Sequence, residues 1–228
     1  TDYKQKTFSL NVKKKKNFTW RELNYIKTKN WLRKINSNAT CLDLGCGPMT
    51  NKELFSNHNK TIYMDGAKFD NVNIVCNFEK KIPIKDTSID CILLSNVLEH
   101  IFYPENLLSE INRILKPGGK CLILVPFIIK LHLEPYDYHR YTKHALKRLL
   151  ELANFKKFKI EEMGSHSNII QNLLKLDRKL NLQRSWLIKL IVKLLQKIIF
   201  SLFSIQKKLY GEIINEVTPQ GYAIEIEK

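Results

Sequence analysis

Two groups of residues in this chain have types and spacing suited to chemistry. The first is Cys41-Leu-Asp-Leu-Gly-Cys-Gly-Pro48, an apolar run that carries Asp43 and ends in Gly45, Cys46 and Gly47. Glycines directly after a strand let a bound cofactor approach the backbone more closely than a Cβ allows, so the segment reads as a cofactor loop. A dinucleotide loop of the G-x-G-x-x-G kind wants a third glycine at position 50, where Thr50 stands. The second group is His132-Leu-Glu-Pro-Tyr-Asp-Tyr-His-Arg-Tyr-Thr142, which gathers His132, Asp137, His139 and Arg140 in one short stretch. Histidines that titrate near neutrality, with a carboxylate close by, can move protons to and from a substrate. The plain alternative for this stretch is a turn and helix cap with Arg140 in a structural ion pair.

Short apolar runs punctuated by Gly, Asp and Asn alternate with amphipathic stretches from Ala39 onward, the pattern of strand-helix units around a parallel sheet. Strands are expected at Thr40 to Leu44, Thr61 to Met64, Asn73 to Cys76, Ile89 to Leu94, Lys120 to Val125, Phe158 to Glu162 and Gly221 to Ile226. Helices are expected near Thr19 to Ile35, Asn51 to Ser56, Pro104 to Leu115 and Thr142 to Ala153. Thr19 with Glu22 three residues on forms a capping-box signature, and Lys116-Pro-Gly-Gly119 ends the third helix with a turn. The whole reads as one domain over residues 1–228. An N-terminal helix occupies 19–36, a cofactor-binding core 39–163, a helical insertion 164–218 and a final strand 219–228.

The run CLDLGCGP resembles motif I of class I S-adenosylmethionine-dependent methyltransferases, and the likeness continues downstream in order and spacing. Asp65, ending TIYMD, resembles the acid that accepts the ribose hydroxyls in that family, with Gly66 beside it. Asn77-Phe78 before IPIKDTSID is similar to the family's Asp-x-x-x-Leu-Pro-Phe stretch, with an amide in place of the usual acid near adenine. Ser95-Asn-Val-Leu-Glu-His100 and EINRILKPGGKCLILVP complete a similarity that covers roughly Thr40 to Pro126. The resemblance, of the type 11-like kind, implies an α/β Rossmann-like fold. Its seven-stranded sheet has the order 3-2-1-4-5-7-6 with the last strand antiparallel, and S-adenosylmethionine is the cofactor. It places the cofactor on Asp43, Gly45, Cys46, Gly47, Asp65, Gly66, Asn77, Phe78, Ser95 and Asn96. The later H-x-x-P-x-D-Y-x-R-Y-T stretch is similar to a subgroup associated with bacterial surface-glycan and lipid-linked sugar pathways. It directs the acceptor toward a small molecule, sugar or lipid-linked compound methylated at oxygen. The candidate general bases are His139, His132 and His100 in that order, with Asp137 as base or orienter and no metal.

The chain carries 38 Lys and Arg against 22 Asp and Glu, a formal charge of +16 that favours an anionic partner. Nucleic acid is the second candidate for that partner. It is disfavoured because Ser95-Asn-Val-Leu replaces the Pro-Pro-aromatic run of base-amino methylation and no Pro-Cys pair supplies a cytosine nucleophile. A non-catalytic membrane-bound protein that kept the fold is the third reading. The five cysteines fall in or beside apolar runs without a C-x-x-C pair, so reduced core thiols and a cytoplasmic setting are expected. The polar N-terminus, with Lys13 to Lys16, lacks the pattern of a secretory signal.

Between Trp186 and Tyr210 an apolar stripe covers most of a helical wheel and Lys189, Lys193, Lys197, Ser201, Ser204 and Lys208 fill a narrow face. Those lysines oppose a membrane span, so the stripe is expected against the domain itself, in a homodimer contact, or in the headgroup region of an anionic inner membrane face.

Overall fold

The computed structural model describes residues 18–48, 51–58, 60–70, 72–164 and 219–228, with helical positions at 169, 190, 191, 194, 195, 197–199, 201, 202 and 205. Seven strands form one sheet: β1 Thr40–Leu44, β2 Lys60–Asp65, β3 Ile74–Val75, β4 Ile89–Ser95, β5 Leu115–Pro126, β6 Lys157–Met163 and β7 Gly221–Glu227. Their order is β3-β2-β1-β4-β5-β7-β6, with β7 antiparallel to both neighbours, as the motif order implies.

Strand residues split by parity into two cores, because side chains alternate across a strand. Leu42, Leu44, Ile92, Leu94, Ile123 and Val125 pack on one face with α2 Pro104–Ile114 and α3 Lys143–Leu152. Cys41, Cys91, Leu93, Leu122, Leu124 and Ala223 pack on the other with α1 Trp20–Leu32. Coverage on both faces explains why the central strands are apolar without alternation. All five thiols are free; four are buried and Cys76 is half-buried.

The capping signals hold. Thr19 Oγ1 accepts from Glu22 N while Thr19 N donates to Glu22 Oε2 at 2.8 Å, and Thr142 Oγ1 accepts from Ala145 N. Beyond shifts of a residue at several ends, four elements differ from expectation. α1 stops at Leu32 instead of continuing to Ile35. The helix expected at Asn51 to Ser56 is a single 3-10 turn, Lys52–Phe55, whose buried anchor is Phe55, too short a stretch to repay α-helix nucleation. The third strand shrinks to Ile74–Val75 because Asn73 Oδ1 accepts from Tyr63 N, a side chain taking over what a ladder bond would do. Lys116 to Gly119 form a bulge inside β5: pairing runs Ile89 to Leu115 and resumes at Cys91 to Lys120. Gly118 sits there at φ 74° and its N–H reaches the Lys228 carbonyl at 2.7 Å.

Candidate active site

β1, β4 and β5 are mutually parallel, so the loops that follow them emerge at one edge of the sheet, where open α/β folds bind ligands. After β1, Gly45 and Gly47 take φ of 83° and 55°, and a Cβ on Gly45 would lie 2.1 Å from Val97 Cγ2 in the loop after β4. Gly45 N and Cys46 N both donate to the Met64 carbonyl, and Gly47 N donates to Asp65 Oδ2 at 2.7 Å. Ala67 N donates to Asp65 Oδ1 at 2.9 Å, so the Asp65 carboxylate is fixed while each oxygen keeps a lone pair for another donor.

Asp43 is fully buried and, among the described residues, neither carboxylate oxygen has a hydrogen bond of full geometry. Burial pushes its pKa up to about 7; the Asn51 side chain opposes that shift and Asp65 adds to it. Burial also pushes the Cys46 thiol up to about 12, leaving it an inert packing group.

The second half of the site joins the turn Leu98–His100 to the loop between β5 and α3. Glu99 is wholly buried, and its two oxygens have no hydrogen-bond partner among the described residues. His100 Nε2 and His132 Nε2 lie 3.7 and 3.6 Å from Glu99 Oε1, and the two rings meet edge to face at 4.8 Å. His100 Nδ1 is 2.9 Å from the Tyr136 carbonyl, and His132 Nδ1 is 3.2 Å from Asp137 Oδ2. Arg140 grips Asp137 with two bonds of 2.6 and 2.7 Å, and the His132 backbone N–H adds a third at 2.9 Å. The Arg140 guanidinium therefore holds the Asp137 carboxyl far below the usual carboxylate range, while Glu99, and then Asp137, raise His132 against the effect of its burial. Tyr138 N and His139 N donate to the Glu99 carbonyl and Tyr141 Oη donates to the Leu98 carbonyl, clamping the loop onto the turn.

The predicted residues thus fall into groups. Asp43, Gly45, Cys46, Gly47 and Asp65 form one loop cluster, and exposed Gly66 follows it. Asn77 spends its Oδ1 on the Glu79 N–H, and the Phe78 ring is buried in the core. Asn96, at φ 55°, directs its Oδ1 away to α1, accepting from Trp20 Nε1 at 2.6 Å and Asn24 Nδ2 at 3.2 Å, while its Nδ2 donates to Ser95 Oγ. His100, His132 and Asp137 come together. The His139 ring turns elsewhere, its Nε2 3.3 Å from the Phe102 carbonyl and its face stacked on Tyr141 at 5.1 Å. Asp137, expected as base or orienter, is too strongly anionic to be a useful base and is built as an orienter. Sequence reasoning missed Glu99 and Val97; a glutamate in the apolar run Val97-Leu-Glu-His-Ile101 was the one available signal. A hollow of about 270 Å³ at the opposite edge, by Trp31, Lys34, Lys120 and Lys157, holds none of these groups.

Residues 19–160 match the family model described as methyltransferase domain. A ubiquinone/menaquinone biosynthesis C-methyltransferase of Erwinia tasmaniensis is 36% identical over 85 residues, 36% of this chain and 33% of that protein. An uncharacterized protein of Methanocaldococcus jannaschii is 37% identical over 94 residues, 37% of this chain and 39% of that protein. The chain therefore spans well under half the length of these curated relatives. Among solved structures, an S-adenosylmethionine-dependent methyltransferase from Archaeoglobus fulgidus superposes with TM-score 0.60 at 21% identity, covering 91% of this chain and 94% of that one. A Haemonchus contortus phosphoethanolamine N-methyltransferase in complex with S-adenosylmethionine gives 0.54 at 16% identity, covering 90% and 51%. These two likenesses are of fold. The family match spans more than half of the chain and contains the glycine loop, Asp65 and the Glu99 turn, and by it the chain belongs to the methyltransferase domain family.

Proposed function

We propose that this chain transfers a methyl group from S-adenosylmethionine to an oxygen of a small-molecule, glycan or lipid-linked acceptor. The observation that carries the reading is Asp43. A fully buried carboxyl without a full hydrogen bond, beside a glycine loop open to close approach, suits a ligand that brings a cationic group. When bound, the cofactor supplies an electrophilic methyl on a sulfonium, so no covalent protein intermediate is required.

Asp43 and the Gly45–Gly47 backbone hold the amino-acid end, and Asp65 with Gly66 takes the ribose hydroxyls. Asn77, through its remaining lone pair, and the backbone of Phe78 flank the adenine; Ser95 and the Asn96 backbone line the floor. His139, whose Nε2 faces a carbonyl and therefore carries the ring proton, keeps Nδ1 to receive the acceptor's proton. His132 and His100 orient the acceptor beside Glu99.

Support for an amphipathic acceptor comes from the helical positions of the insertion. Leu190, Ile191, Leu194, Leu195, Ile198, Leu202 and Ile205 are all exposed, and at 3.6 residues per turn they share an arc of about 140°. Lys197 lies at one border of that arc, and the formal charge of +16 adds attraction to anionic lipid, so peripheral contact with a cytoplasmic membrane face fits. No helix among the described residues is long and apolar enough to cross a membrane. The relatives named as C-methyltransferases keep a carbon acceptor as the second reading.

The test incubates the full chain and methyl-tritiated S-adenosylmethionine with lipid, glycan, soluble and RNA fractions from cells lacking the gene. Label in the lipid or glycan fraction is expected. Label confined to RNA moves the protein to the nucleic-acid class, and no label in any fraction removes the enzymatic reading.

A further inference from the structure

Glu99 poses a problem that methyl transfer does not solve. Its carboxylate is 0% exposed and lacks any hydrogen bond among the described residues, an arrangement that suits a cation held beside it. Two imidazoles face it, yet at 3.6 and 3.7 Å neither Nε2 is within N–H···O bonding distance. Those separations match a different geometry. Two ligands bonded to one tetrahedral ion at about 2.0–2.2 Å lie about 3.4 Å apart. One ligand atom each from Glu99, His100 and His132 fall within 4.8 Å of one another, so small side-chain rotations bring all three onto such an ion.

The far side of each ring supports the same conclusion. Tyr136 presents a carbonyl to His100 Nδ1 at 2.9 Å, and Asp137 Oδ2 lies 3.2 Å from His132 Nδ1, though without full hydrogen-bond geometry. A neutral ring facing an acceptor at Nδ1 keeps its proton there and turns the Nε2 lone pair inward, the outer arrangement of metal-bound histidines. Arg140, by its two hydrogen bonds to Asp137, holds the outer carboxylate in place. The backbone clamp from Tyr138 and His139 to the Glu99 carbonyl fixes the two contributing segments relative to each other.

We propose that Glu99, His100 and His132 bind one divalent first-row transition metal ion, Zn²⁺ foremost, with at least one coordination position left open. Two imidazoles and one carboxylate suit Zn²⁺ better than Mg²⁺ or Ca²⁺, which take all-oxygen shells. Three protein ligands leave room for water or for an acceptor oxygen, whose proton the ion would make easier to remove. That last role rests on the methyl-transfer reading; occupancy of the site does not.

The full chain, stripped with a chelator, is titrated with Zn²⁺ and with Co²⁺ as an optical probe, alongside S-adenosylhomocysteine. Expected are one ion per chain and the visible absorption of low-coordinate Co²⁺, lost when Zn²⁺ is added. Glu99→Gln and His132→Ala should each weaken binding at least about 100-fold, and Asp137→Asn by about 10- to 100-fold. The far-ultraviolet spectrum and affinity for S-adenosylhomocysteine should stay as in the wild type. A wild-type chain that takes up neither ion, or variants that bind it as tightly, would overturn the site. The wild-type Co²⁺ spectrum decides even where a variant fails to fold. A chain that binds S-adenosylhomocysteine but no metal refutes only this site; one that binds metal but no S-adenosylhomocysteine refutes only the cofactor reading.

Discussion

Asp43 sets stability against function. Its pKa of about 7 in the folded chain exceeds the ordinary 3.8, so folding favours the protonated form. The contribution of this group is full below about pH 4 and is lost as pH rises through about 7. Asp43→Asn removes the buried charge, and the variant without cofactor should be more stable than wild type at pH 8 by on the order of 2 to 4 kcal/mol. The difference should narrow below pH 7 and vanish toward pH 4 in urea unfolding at each pH, while cofactor affinity falls. A difference independent of pH would place the strain elsewhere. Asp43 and Asp65 were legible because one lies inside and the other ends an apolar run that leads into glycine. Glu99 was not: its partners sit at positions 100 and 132, and no local pattern reveals that the loop after β5 folds back onto the turn after β4.

At the scale of elements, α1 shows what a capping signal conveys and what it leaves out. Thr19 and Glu22 mark its start, but its buried side includes Asn24 and Thr28, which an apolar wheel assigns to solvent. The reason is Asn96, whose Oδ1 receives both Trp20 Nε1 and Asn24 Nδ2 from a loop far along the chain. Asn96→Ala leaves the indole N–H and the Asn24 amide without that acceptor and should cost about 1–3 kcal/mol. Faster amide exchange in residues 20–32 than in β4 would show that α1 is the part released. Equal loss across the sheet would mean that Asn96 supports the whole fold through its left-handed backbone. The bulge at Lys116 to Gly119 has a similar origin. A glycine pair reads as a turn, and only the pairing of β4 with β5 shows that the strand resumes on the same line.

For the whole molecule, the sheet order followed from motif order, because a glycine loop after the first strand and an acid after the second place β1 and β2 side by side in a known topology. The insertion was legible as amphipathic but not as to what covers it; Trp186, Lys189, Lys193, Ser204, Lys208 and Tyr210 lie outside the described residues. Its described apolar positions are exposed, and anionic vesicles should therefore pellet the wild type at low salt and release it at high salt. Leu194→Asp with Ile198→Asp should abolish pelleting. Wild type that stays in the supernatant assigns the arc to a core or dimer contact. The central claim is that the loop from Asp43 to Gly47, with Asp65, holds S-adenosylmethionine, and calorimetric titration with S-adenosylhomocysteine tests it most directly. One site per chain is expected, with Asp65→Ala weakening it by on the order of 2 to 4 kcal/mol while the fold persists. A folded wild-type chain that releases no heat and binds no S-adenosylhomocysteine would contradict it.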